Sequence, residues 1–245
     1  MDASLTQMGL GLVAFAYAMV GHGGASGYLA VGSQAGLPLA ALKGQALLLN
    51  LGVSGMAAGL YFRAGHLRWR LFLPLALGSI PAAFVASQWH TGRALAEGLL
   101  ALALGASALR LFFGRALARR AAGPEAAWPV LAGVGVGLGL LSGLTGVGGG
   151  IYLSPLLLWM GWADLKETAA CSALFIFVNS LAGLAGMAQR GPLPPVPAAW
   201  LGATLLGGAL GAWIGAERLP RPALARVLAG VLLLAAVKMG LQAVA

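Results

Sequence analysis

His22 stands inside a glycine cluster, Gly21-His22-Gly23-Gly24, and a second cluster, Gly146-Val147-Gly148-Gly149-Gly150, lies in the other half of the chain. Glycines at this density let a backbone turn sharply and bring its N–H groups close to a ligand. A helix starting at such a turn presents unpaired N–H groups and about half a positive charge, which suits an anion. Histidine adds a group that titrates near neutral pH and can donate a hydrogen bond or carry a proton. Uncharged polar residues follow each cluster: Gln45, Asn50 and Ser54 in the first half, Thr168, Ser172, Asn179 and Ser180 in the second. As a group they could bond an anion's oxygens. The candidate substrate site is therefore His22, Gly23, Gly24, Gln45, Asn50, Ser54, Gly148, Gly149, Gly150, Ser172 and Asn179. A purely structural role stays open beside this one. The glycines would then shape turns and packing, the polar residues would link neighbouring helices, and His22 would bond a carbonyl freed at the break.

The elements that position these residues are apolar. Of 245 residues, 60% are hydrophobic and 9% charged, with a mean hydropathy of +0.88. A soluble domain is about a quarter charged, so this chain could not cover itself in water. Soluble enzymes and DNA-binding domains are excluded, and an all-α integral membrane protein in the lipid bilayer is expected. The net charge of +9 sits between apolar runs, where it orients insertion and implies no nucleic-acid partner. The single cysteine, Cys171, allows no internal disulfide. Three scattered histidines, His22, His66 and His90, make no metal site, and no cofactor is expected.

Charged residues divide the chain into eight apolar segments, two of them too long for one span. No charge stands between Asp2 and Lys43, or between Glu125 and Asp164. A bilayer core takes about 20 helical residues, whereas about 30 in one straight helix would measure about 45 Å. Each long run carries its glycine cluster near the centre, so each is expected to form a re-entrant hairpin of two short helices with the glycines at its tip. One long, kinked, tilted helix is the alternative. With two hairpins and six full spans, Arg63, Arg68, Arg70, Arg110, Arg115, Arg119, Arg120, Lys166, Arg218, Arg221 and Arg226 share one side. The positive-inside rule prefers this arrangement to eight full spans and puts both termini outside the cytoplasm.

The halves also resemble each other. Gly21-x-Gly23-Gly24 aligns with Gly146-x-Gly148-Gly149, Tyr28-Leu29 with Tyr152-Leu153, and Lys43 with Lys166. Two inverted repeats, residues 1–122 and 123–245, are expected to form one membrane domain. Inverted repeats with broken helices at the midplane are the architecture of many secondary transporters.

The stretch from Gly139 through Gly143, Gly146 and Gly148-Gly149-Gly150 to Pro155-Leu156 resembles the sulfite exporter TauE/SafE family, as do Lys166 to Ser172 and Asn179-Ser180. That resemblance implies movement of sulfite, thiosulfate, sulfonates or related small organic anions across the cytoplasmic (inner) membrane. In the first half His22 stands within the motif and Ala25 replaces its last glycine. No nucleotide-binding P-loop is present, so a coupling proton, a sodium ion or the anion gradient would drive transport. A homodimer is compatible with this reading. A passive anion channel or assembly subunit stays open. An intramembrane enzyme is disfavoured, because Asp2 and Asp164 fall at segment ends and His22 has no evident catalytic partner.

Overall fold

The computed structural model describes residues 2–89, 104–105, 108–109 and 126–244. The expected segment Ala94–Phe113 and the charges Arg110, Arg115, Arg119 and Arg120 therefore lie almost wholly outside the described residues, as does His90. Besides the helical pieces 104–105 and 108–109, the described residues hold nine α-helices and no strand. They are α1 (Ala3–Ala18), α2 (Ala25–Gln34), α3 (Leu39–Arg63), α4 (Trp69–Ala86), α5 (Trp128–Thr145), α6 (Gly150–Met160), α7 (Leu165–Ala188), α8 (Ala198–Trp213) and α9 (Arg221–Val244). A single π-helical turn, Ile214–Arg218, extends α8. Within α3, α4, α5, α7 and α8 with its π turn lie five stretches long and apolar enough to cross a membrane.

Both glycine clusters are places where one helix ends and another begins. Gly24 (φ 101°) and Gly149 (φ 79°) are the N-caps of α2 and α6, in a left-handed conformation that a side chain would penalise. The first break reverses the chain. Gly27 of α2 packs on Val13 of α1, Gly9 of α1 lies by Val31, and the Tyr17 hydroxyl bonds Ser26 Oγ at 3.0 Å. Each broken run forms two helices of unequal length. α1 and α5 have 16 and 18 residues, whereas α2 and α6 have 10 and 11. The breaks are central in the uncharged runs, but turns at Gly36 and Gly161 end the second arms early.

Glycine-to-backbone packing sets the helix directions. A methyl placed on Gly207, Gly211 or Gly215 would lie 2.2, 2.1 or 2.0 Å from the carbonyl oxygens of Gly11, Phe15 and Met19, so α8 runs parallel to α1. Gly135, Gly139 and Gly143 meet the carbonyls of Leu75, Ser79 and Ala83 in the same way, so α5 runs parallel to α4. Spacing by four places small residues on one helix face, which is how membrane helices approach closely without a hydrophobic drive between them. α3 and α7 cross antiparallel, with Leu47 near Gly183, Asn50 near Ser180 and Gly55 near Phe177.

The ends differ in charge. At one end Asp164 caps α7, accepting from Lys166 N–H at 2.8 Å and Glu167 N–H at 3.0 Å, while Glu167 accepts from Asp164 N–H. There Arg221 pairs with Asp164 at 2.5 Å and Arg68 with Glu167 at 3.5 Å. Lys166 Nζ donates to Ala216 O at 2.9 Å. This arginine-rich end receives α1, α3 and α8 and starts α4, α7 and α9. Between the ends, Leu12, Leu77, Leu206 and Leu234 are more than 60% exposed, and such leucines belong against acyl chains.

Candidate substrate site

The two glycine turns meet beside the middle of α3. Asn50, fully buried, is the joint. Its Oδ1 accepts from Ala25 N–H at 3.2 Å, and its Nδ2 lies 3.4 Å from Val147 O and 3.3 Å from Ser180 Oγ. One amide thus ties the first turn of α2, the loop ahead of α6 and the crossing helix α7. A methyl on Gly23 would fall 2.0 Å from Asn50 Oδ1, and one on Gly148 would fall 2.7 Å from Asn50 Nδ2. Both turns therefore need glycine in order to approach the same side chain.

His22 is 1% exposed. Its Nε2 lies 2.7 Å from Ser154 Oγ, and Ser154 Oγ lies 2.8 Å from Ser172 Oγ. This chain of polar groups runs from the first turn through α6 to α7, and all three side chains are buried. Among the described residues, His22 Nδ1 has no hydrogen-bond partner. A cavity of about 10 Å³ is lined by Tyr17, His22, Gly23, Gly24, Ala25, Ser26, Val147, Ile151 and Ile176. That volume holds about one water and no sulfur oxyanion. It lies at the N-terminus of α2, whose first N–H, that of Ala25, is held by Asn50 Oδ1. Among the described residues, no lysine, arginine, aspartate or glutamate lines it. Neutral donors could hold an anion here without a bare cation in the membrane interior.

The structure gathers His22, Gly23, Gly24, Asn50, Gly148 and Ser172 around these turns. Gly150 packs its Cα face on Ile176 and the Ser172 carbonyl, and Gly149 packs on Phe175 and Ser142. Three expected residues bond elsewhere. Gln45 donates to Pro195 O at 2.8 Å, near the loop ahead of α8. Ser54 donates to Asn50 O within its own helix at 2.6 Å. Asn179 donates to Phe175 O at 2.8 Å and Ser79 Oγ at 3.0 Å, and its Oδ1 is unpartnered. Sequence reasoning missed Ser154. It lies four residues after Gly150, one helical turn into α6, and that spacing was the available signal. Tyr28 was also missed as a bracket for the turn; its hydroxyl donates to Gly23 O at 2.5 Å. Lys43 begins α3 with its stem beside Gly146.

Residues 8–239 match the family described as "Sulfite exporter TauE/SafE". The match covers nearly the whole chain, including both glycine turns. The chain belongs to the sulfite exporter TauE/SafE family. It is 34% identical over 235 residues to "Probable membrane transporter protein y4hK" of Sinorhizobium fredii (strain NBRC 101917 / NGR234), covering 93% of this chain and 94% of that protein. No solved structure matches significantly. As a TauE/SafE protein the chain is a multi-pass membrane transporter, so a small substrate and a bilayer environment follow.

Proposed function

We propose that this TauE/SafE protein is a secondary transporter, not an enzyme, that moves sulfite, thiosulfate, a sulfonate or a related small organic anion across the cytoplasmic membrane. The observation that carries this reading is the convergence of the two glycine turns on Asn50, beside a buried His22 and the N-terminus of α2. Backbone N–H groups at a helix start and neutral side-chain donors suit a small oxyanion, and glycine lets it come close. The inverted repeat, residues 1–122 and 123–245, is supported by helix direction. α1 and α3 run toward the arginine-rich end and α4 runs away, whereas α5 and α7 run away and α8 runs toward it. Each broken segment is then a re-entrant hairpin with one long and one short arm. Alternating exposure of a site between two such repeats is the expected cycle.

A cavity the size of one water favours a gated transporter over an open channel, since no anion fits between the described turns without rearrangement. A proton or a sodium ion would couple the step. Proteoliposomes offered sulfite, thiosulfate, taurine, sulfoacetate and short carboxylates, with and without pH and sodium gradients, test the reading. Saturable uptake of a sulfur-containing anion, accelerated by one gradient, supports it. Non-saturable flux indifferent to both gradients would make the protein a passive channel, and no flux of any sulfur-containing anion would overturn the reading.

A further inference from the structure

We propose that Ser154 and Ser172 are positioning residues that leave His22 Nδ1 free to take a coupling proton beside the bound anion. The inference rests on the anion-transport reading and assigns the proton to one atom. His22 Nε2 is engaged by Ser154 Oγ at 2.7 Å, and Ser154 is in turn held by Ser172 at 2.8 Å. A neutral imidazole carries one N–H, and the partners of one nitrogen decide where it sits. With Nε2 donating to Ser154 Oγ and Ser154 donating in turn to Ser172 Oγ, the single proton of the neutral ring sits on Nε2. Nδ1 then keeps a bare lone pair. It is a buried polar atom without a partner, in a ring that lines the cavity at the start of α2.

A buried acceptor without a donor is costly, so its retention calls for a donor that arrives during function. A proton on Nδ1 makes the ring an imidazolium with two N–H groups, one on Ser154 and one directed at the cavity. A singly charged sulfite or sulfonate placed there forms a neutral pair with it, which lowers the charge cost of crossing the bilayer. The proton enters from the water on the anion's side of entry and leaves with the anion on the other. Among the described residues lining the cavity, no lysine, arginine, aspartate or glutamate faces the ring. Tyr17 faces His22 from α1 with ring centroids 6.4 Å apart, Tyr28 of α2 bonds Gly23 O, α3 contributes Asn50, and α7 carries Cys171 next to Ser172.

The test is ¹⁵N-histidine NMR of the full-length protein with and without sulfite, with the His22 signals assigned by their loss in His22→Gln. Without sulfite, wild-type His22 should be neutral and protonated on Nε2. With saturating sulfite, Nδ1 should gain a proton. Ser154→Ala should release the tautomer into a mixture and raise the KM for sulfite about tenfold, whereas Ser154→Thr, which keeps the hydroxyl, should restore both. Proton uptake per sulfite, read by a trapped pH dye, should fall in Ser154→Ala and return in Ser154→Thr. A neutral His22 protonated on Nδ1 in both states, or a Ser154→Ala spectrum identical to wild type, would overturn the proposal. Wild-type protein that moves no sulfur-containing anion would instead overturn the transport reading, and the sulfite-free tautomer would still be measured.

Discussion

Asn50 Oδ1 accepts a hydrogen bond from the Ala25 N–H at 3.2 Å, which holds the first turn of α2 against the middle of α3. The same amide reaches Val147 O and Ser180 Oγ, so removing it frees both glycine turns at once. Asn50→Leu leaves a buried N–H and a buried C=O without partners, at about 1–3 kcal/mol each. The expected outcome is protein that inserts, unfolds at lower temperature and has lost sulfite uptake. Thermal unfolding in detergent beside uptake into vesicles checks it; wild-type behaviour in both would remove Asn50 from the site.

Gly149→Leu should abolish uptake. The φ of 79° disfavours any side chain by about 1–2 kcal/mol, and a methyl there would sit 2.9 Å from the Phe175 ring and 3.1 Å from Ser142. Gly137, with nothing within 4 Å of an added methyl, is the control, and Gly137→Leu should transport at the wild-type rate. Equal loss of purified yield in the two variants would show membrane insertion rather than the turn to be at fault.

Gly211→Val tests the α1–α8 contact. Its first side-chain carbon would lie 2.1 Å from the Phe15 carbonyl oxygen, so the helices must separate. Overpacking of this kind costs about 1–3 kcal/mol or more. The variant should lose thermal stability well beyond Gly202→Val, where nothing lies within 4 Å. Equal melting temperatures would mean that the parallel pairing does not hold the fold.

His66 provides a pH signature for the arginine-rich end. Burial first, and then the Lys166 ammonium, holds its pKa below the ordinary 6.5. The folded state therefore binds fewer protons than the unfolded state just below pH 6.5, and stability rises with pH there. The His66 contribution is complete above about pH 6.5 and is lost as acid charges the ring. His66→Gln should flatten part of the fall in melting temperature on acidification while leaving uptake near neutral pH intact. An unchanged acid limb would show that His66 titrates alike in the folded and unfolded chains.

A reporter fused after Ala245 should read as periplasmic. α9 starts at Arg221, at the arginine-rich end, and its 24 residues rise about 36 Å away from it. A cytoplasmic reading would reverse the assignment of sides.

The helix breaks were legible in the sequence because a glycine cluster acts on its own backbone. Gly21 to Gly24 and Gly146 to Gly150 disfavour a continuous helix wherever they stand. Gly148 lies on a break, and Asn50 and Ser172 stood out as polar residues in the apolar helix that follows each broken segment. Partner choice over long separations was not. Asn179 has Ser79 for a partner, 100 residues away, and Gln45 has Pro195, 150 away. No local pattern announces such pairs. Ser154 escaped because polar residues were sought beyond each hairpin, whereas the second arm itself carries the hydroxyl that meets His22. The unequal arms depend on Gly36 and Gly161, ordinary turn glycines that a count of uncharged residues passes over.

The glycine contacts of α1 with α8 and of α4 with α5 also bear on how the chain is made. α1 leaves the ribosome first, yet the helix whose backbone it packs against is complete only when Gly215 has been synthesised. Throughout that interval the first hairpin must wait in the translocon or in lipid without its partner, and neither half encloses its own glycine turn. The halves therefore cannot mature one after the other as separate domains do. A ribosome stalled before α8 leaves a product with an open seam along α1, and quality-control proteases acting on membrane proteins should clear it, however much of the site has already been translated.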